Sequence, residues 1–322
     1  MNQNVGSIES VEASLRSSGH ADEGKRARSV TGLVISICWL CIFFEGYDLG
    51  IYGPVLPTLM KEWSLSTVQA GAIASYSLFG LLAGSIVVGV VSDIIGRKKT
   101  LILSLALFSV AMGISAMAGS PEMFIFSRIL VGLGIGGIIP SVATLAIEYS
   151  PVQRRSFNFV LTNSGMTFGI IVAVLVALAL LDHVGWRSLF WVGMAPVLAI
   201  PLIIKYLPES ISYLLATNRM DEARSIANRY GIALDSFEES ADGEKTRGAG
   251  TLRTFKSLLS KKYLAVIVSA SLIYFLTFVM AYGLNTWLPK LMVEAGYPLN
   301  SSLLFMLVFN LTGGAAGLVG GK

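Results

Sequence analysis

The chain has 322 residues, of which 54% are hydrophobic and only 14% charged, with a net charge of +4 and a mean hydropathy of +0.69. Soluble domains carry about 25% charged residues, so an ordinary soluble fold is excluded. The positive balance reads as membrane topology, not as a nucleic-acid surface.

Residues 1–29 are polar and hold Arg16, Lys25, Arg26 and Arg28. They read as a disordered cytoplasmic tail, not as a cleavable signal peptide. Eight apolar runs follow, at about 30–56, 67–91, 100–118, 122–147, 157–181, 187–207, 263–289 and 301–321. A membrane helix needs roughly 20 apolar residues, so the chain reads as an all-α integral membrane protein with about eight transmembrane helices. Basic residues crowd the tail and the even-numbered connections: Arg97, Lys98 and Lys99, then Arg154 and Arg155, then Lys205, Arg219, Arg224, Lys256, Lys261 and Lys262. The odd-numbered connections show Lys61, Arg187 and Lys290. By the positive-inside rule the N-terminus is cytoplasmic, in a multi-pass protein of the inner or plasma membrane. The divisions expected are the tail at 1–29, a six-helix half at 30–207, a cytoplasmic connection at 208–262 and two helices of a second half at 263–322. Within the connection, 209–230 reads as an amphipathic surface helix and 236–250 as a Gly-rich linker.

Ionisable residues inside spans cost about 2.5–3.5 kcal/mol each on insertion scales, so they are the first functional candidates. Glu45 and Asp48 lie three apart in the first span and share a helix face with Tyr52. Two carboxylates this close in a low dielectric cannot both ionise cheaply, which suits a group that gains and loses a proton. Arg128 begins the fourth span. Its permanent charge and forked donors suit a carboxylate, from a substrate or from the first-span acids; the competing role is snorkelling to the interface. Gly80 and Gly84, Gly132 and Gly136, and Gly165 and Gly169 read as helix-packing faces. Cys38 and Cys41 read as small buried residues, with no further ligand beside them for a metal. His20 and His183 stand without a nucleophile, so no enzyme chemistry is expected.

The connection after the second span reads Gly89-Val-Val-Ser-Asp93-Ile-Ile-Gly96-Arg97-Lys98-Lys99. It resembles the signature loop of the major facilitator superfamily, with Ile94 where a basic residue is usual. The resemblance implies two six-helix halves that rock about a central site. The chain would then hold a complete first half and the first two helices of the second, as a truncated product or incomplete sequence. It also implies a gating role at the cytoplasmic side for Gly89, Asp93, Gly96, Arg97 and Lys98. Glu148 with Arg154 and Arg155 looks like the matching patch after the fourth span, and Asp93 would lack its usual partner on the missing eleventh span.

Glu45-Gly46-Tyr47-Asp48 in the first span resembles the Asp-Gly-x-Asp signature of the aromatic acid:proton symporters, with Glu45 in place of the first Asp. Arg128 and Glu148 also match that family's fourth span. The resemblance implies proton-coupled uptake of benzoate-like carboxylates, with a proton gradient and no cofactor. The carboxylate would meet Arg128, Asp48 or Glu45 would take the proton, and Tyr52, Tyr76, Tyr282 and Asn285 would contact the substrate. A carrier for a nicotinate-like acid or a sugar stays open, as does a non-transporting remnant. For the sugar reading, Pro208-Glu209-Ser210 lacks the Pro-Arg that usually follows. The oligomeric state is not readable.

Overall fold

The computed structural model describes residues 3–230, 232, 234 and 261–320; side chains are described over 29–230, at 232 and 234, and over 264–314. The tail expected over 1–29 falls almost wholly, and the linker over 236–250 wholly, outside the residues with described side chains. Among the described residues every regular element is helical. In chain order they are α1 (Gln3–Glu62), α2 (Thr67–Ile95), α3 (Arg97–Met117), α4 (Pro121–Glu148), α5 (Arg155–Val184), α6 (Arg187–Gly193), α7 (Ile200–Tyr206), α8 (Ile211–Ala216), α9 (Met220–Tyr230), α10 (Lys261–Glu294) and α11 (Leu299–Gly320). Among the described residues seven stretches are long and apolar enough to cross a membrane, and α11 adds a further apolar helix over Leu299–Gly314.

Local chemistry sets the boundaries. Ser66 accepts a hydrogen bond from the Gln69 N–H while the Gln69 side chain accepts from the Ser66 N–H, a reciprocal cap that starts α2. Ser120 caps α4, with Pro121 at its first turn. Gly96 separates α2 from α3 at φ +98°, a backbone region that favours glycine. Two expected elements are broken. The sixth span divides into α6, a 3₁₀ stretch at Ala195–Ala199 and α7, because Pro196 and Pro201 each remove a helix donor. The amphipathic helix expected over 209–230 divides into α8 and α9 at Asn218, whose φ of +57° an asparagine tolerates better than most residues.

The glycine faces pack as expected. A methyl on Gly80 or Gly84 would collide with backbone of α4, one on Gly132 or Gly136 with backbone of α2, and one on Gly165 or Gly169 with backbone of α1. Close backbone approach is how membrane helices associate without a hydrophobic drive between them. Cys38 and Cys41 are buried, and the Cys38 thiol donates to the Val142 carbonyl at 3.9 Å.

The bundle has two chemically different ends. One carries the 92–99 hairpin, the 148–155 turn and α8–α9. The other carries the turns between α1 and α2, α3 and α4, α5 and α6, and α10 and α11. At this second end Trp63, Phe124, Trp186 and Phe190 pack ring against ring at 5.3–5.8 Å, mostly edge to face. Such pairs contribute about 0.5–1.5 kcal/mol each beyond burial. Contacts between the first half and α10–α11 also gather toward it. A methyl on Gly53 would strike the Asn285 carbonyl, Lys290 donates to the Thr67 hydroxyl at 3.3 Å, and Asn300 donates to Asp182 at 3.1 Å. Toward the first end, residues 264–280 of α10 stand largely exposed.

Candidate functional site: a central charged cavity and a terminal latch

A cavity of about 190 Å³ lies where α1, α2 and α4 of the first half face α10. Arg128 forms part of its wall, and its side chain is 4% exposed, so it is buried and does not snorkel. Its Nη1 and Nη2 donate to Asp48 Oδ1 and Oδ2 at 2.5 and 2.9 Å. Nη2 also donates to the Ser77 hydroxyl at 3.2 Å, while the buried Nε has no hydrogen-bond partner among the described residues. This is the two-pronged geometry that guanidinium and carboxylate favour. Both partners are buried, so removing either leaves an uncompensated charge.

Glu45 lines the same cavity one helical turn before Asp48. Its carboxylate makes no hydrogen bond among the described residues, so the two first-span acids differ: one is held, the other is not. Tyr52 lines the wall, its hydroxyl donates to the Ala70 carbonyl at 2.8 Å, and its ring lies 5.9 Å from the Arg128 guanidinium carbon. Tyr282 also lines the cavity.

Two expected contact residues lie elsewhere. Tyr76 is half-exposed and outside the lining, between Ser75 and Ser77, which are in it. Asn285 is buried and off the cavity: its amide donates to the Ala281 carbonyl and accepts from Asn310 at 2.9 Å. The lining also holds Trp287, Thr286 and Ser77, which carry no charge and so gave no signal within apolar runs.

The hairpin at the first end is bolted to α7 and to the segment after it. Glu209 accepts from the Lys98 N–H at 2.9 Å, and Lys98 Nζ donates to the Ile204 carbonyl at 2.8 Å. Tyr213 donates to the Ile94 carbonyl at 3.0 Å, and Tyr149 donates to the Glu209 carbonyl at 2.6 Å. Burial, with Glu148, Tyr230 and Glu209 adding to it, pushes the Tyr149 phenol up, so it stays a donor. A side chain on Gly96 would meet Glu209 and Tyr213, which fixes this crossing.

Glu148 and Asp93 find their partners close by. Glu148, read with Arg154 and Arg155 as one charged patch, accepts from the Ser210 hydroxyl at 2.9 Å and the Ile211 N–H at 3.0 Å. Arg154 is exposed, and Arg155 points to the Ser150 carbonyl at 3.4 Å. Asp93, expected to lack its usual partner on an eleventh span, pairs within the hairpin with Arg97 at 2.6 Å. Gly89 lies on α2 with open space where a side chain would go. Glu209, Ser210, Tyr213 and Tyr149 were missed at this end because most of their bonds have a main-chain partner.

The family model described as Major Facilitator Superfamily matches residues 38–322. The chain belongs to the major facilitator superfamily. It is therefore a multi-pass membrane protein of a transporter family, not an enzyme. Among curated proteins it is 34% identical to the benzoate transport protein of Acinetobacter baylyi, covering 89% of this chain and 63% of that one. It is 33% identical to the gentisate transporter of Corynebacterium glutamicum, covering 86% and 57%, and 31% identical to the niacin transporter of Acinetobacter baylyi, covering 86% and 63%. The chain thus spans about three-fifths of the length of the curated relatives it matches. Among solved structures it superposes on the xylose transporter XylE from E. coli, in a partially occluded inward-open conformation, with a TM-score of 0.71 and 18% identity, over 88% of this chain and 68% of that one. That likeness shows the facilitator fold. The aromatic-acid resemblance of the first span agrees with the curated relatives.

Proposed function

We propose that the protein takes up aromatic carboxylates with protons, by alternating access about the Arg128 cavity. The observation that carries this reading is the bidentate Arg128–Asp48 pair on the wall of a cavity that also holds an unbonded acid and aromatic rings. The relatives named for benzoate, gentisate and niacin support the substrate class. A cavity of about 150 Å³ holds benzene, so 190 Å³ suits a single-ring acid.

The substrate carboxylate and the Asp48 carboxylate want the same guanidinium donors. Asp48 yields them when it takes a proton, because a neutral acid is a poor partner for a permanent cation. Glu45 has no competing bond and is placed to carry a proton through the cavity. The ring packs against Trp287 and Tyr282. The basic motif end is cytoplasmic by the positive-inside rule, so the cavity is closed toward the outside. The hairpin, α8 and their bonds through Glu209 and Glu148 would hold the cytoplasmic ends in register while the halves rock.

Equilibrium binding of benzoate tests the clamp. The wild-type protein should bind benzoate and reject benzamide of the same shape, and Arg128→Gln should bind neither. Equal binding of the acid and the amide would end the reading.

A further inference from the structure

We propose that Lys290 and Trp287 form a receiving station for aromatic carboxylates at the end of the cavity opposite the signature hairpin. The inference rests on the aromatic-carboxylate reading above and adds a site to it.

Lys290 is a buried cation that the central mechanism does not use; its side chain is 11% exposed. Its Nζ pairs with Glu294 at 2.8 Å, donates to the Thr67 hydroxyl at 3.3 Å and lies 5.5 Å from the centre of the Trp287 ring. Trp287, one turn earlier on α10, lines the cavity, and its ring would touch a methyl placed on Gly71. A cation and a broad aromatic face therefore sit one helical turn apart, between α10 and the start of α2. That pairing fits a ligand with a carboxylate at one end and a ring at the other.

Neither partner of the ammonium holds it firmly. Thr67 is a neutral hydroxyl at long range, and it belongs to the other half, so it departs when α2 and α10 separate. Glu294 is 58% exposed, and an ion pair with one solvated partner contributes little. An arriving carboxylate can replace both. The Arg128–Asp48 pair is buried at both ends and costs far more to part. The two cations are thus graded: Lys290 is loosely held and easy to exchange once α2 and α10 part, and Arg128 is deep and opened by protonation. The other basic side chains of this end do not offer the combination. Arg187 is tied to Glu62 and the Ala118 carbonyl and covers Trp186, and Lys61 is exposed on α1.

The test is benzoate transport in proteoliposomes, with benzoate presented to one face at a time. Lys290→Gln should raise KM about tenfold from the Lys290 face and leave it within twofold from the hairpin face. Lys290→Arg should restore the wild-type KM, and Glu294→Gln, which removes the competing carboxylate, should lower it. Equal changes at both faces, or a change in kcat alone, would make Lys290 a structural clasp and overturn the station. An unchanged KM in Glu294→Gln and Lys290→Gln would overturn it too. A wild-type protein that carries no aromatic carboxylate from either face would overturn the reading beneath it as well.

Discussion

Arg128 grips Asp48 with both terminal nitrogens and leaves Glu45, one turn away on the same helix, without a hydrogen bond among the described residues. The two first-span acids are therefore not equivalent. Both line the cavity, but Asp48 is the counter-charge that holds Arg128 and Glu45 is the carboxyl left unpaired among the described residues.

Removing one side of the pair should be costly. Arg128→Gln leaves Asp48 buried and unpaired, a loss of about 3–5 kcal/mol when a buried pair is broken. Thermal unfolding in detergent should show a clear drop in Tm. The double variant with Asp48→Asn should recover most of that stability without recovering benzoate binding. A double variant as unstable as the single one would mean that the pair is not the source.

The acids should separate by assay. Glu45→Gln is expected to keep exchange of labelled for unlabelled substrate across the membrane while losing accumulation driven by a proton gradient. Asp48→Asn is expected to lose accumulation too, and also to change substrate affinity, because Arg128 is then released permanently. If either variant accumulates substrate as the wild type does, that acid has no coupling role.

At the hairpin, Tyr213→Phe removes the bond to the Ile94 carbonyl and should cost about 1 kcal/mol. Glu209→Ala removes the acceptor for the Lys98 N–H and should cost more, since a main-chain donor loses its partner. Both should slow transport with little effect on substrate binding. Transport rates and Tm measured side by side check this, and a binding defect without a rate defect would place these residues in the wrong role.

Gly53 marks a close approach between the halves near the closed end, where a methyl would strike the Asn285 carbonyl. Gly53→Ala should keep that end from closing. Labelling of a cysteine placed at Ser75, in the cavity lining, by an impermeant thiol reagent from outside should rise. Unchanged labelling would show that α10 yields without opening the seam.

Much of the fold was legible because membrane spans are long, apolar and punctuated by charge. The span positions, the glycine faces and the buried character of Cys38 and Cys41 all followed from that. The break in the sixth span was written in Pro196 and Pro201, and hydropathy alone averaged over it. Glu45, Asp48 and Arg128 stood out because a charge in an apolar run is rare. Which acid Arg128 holds was not legible, since it depends on how α1 and α4 cross 80 residues apart. Ser77 and Trp287 look like any other span residues until the helices assemble around them. The Glu148 partnership with Ser210 and Ile211 was hidden for a related reason. One donor is main chain and the other a neutral hydroxyl, while charge alone grouped Glu148 with Arg154 and Arg155.

Uptake of labelled benzoate and 4-hydroxybenzoate by cells expressing the protein, with and without a protonophore, tests proton-coupled carriage of aromatic carboxylates most directly. Accumulation above the level of untransformed cells, abolished by the protonophore and by Arg128→Gln, is the expected result. Uptake that persists undiminished with the protonophore, or that Arg128→Gln leaves intact, would contradict it.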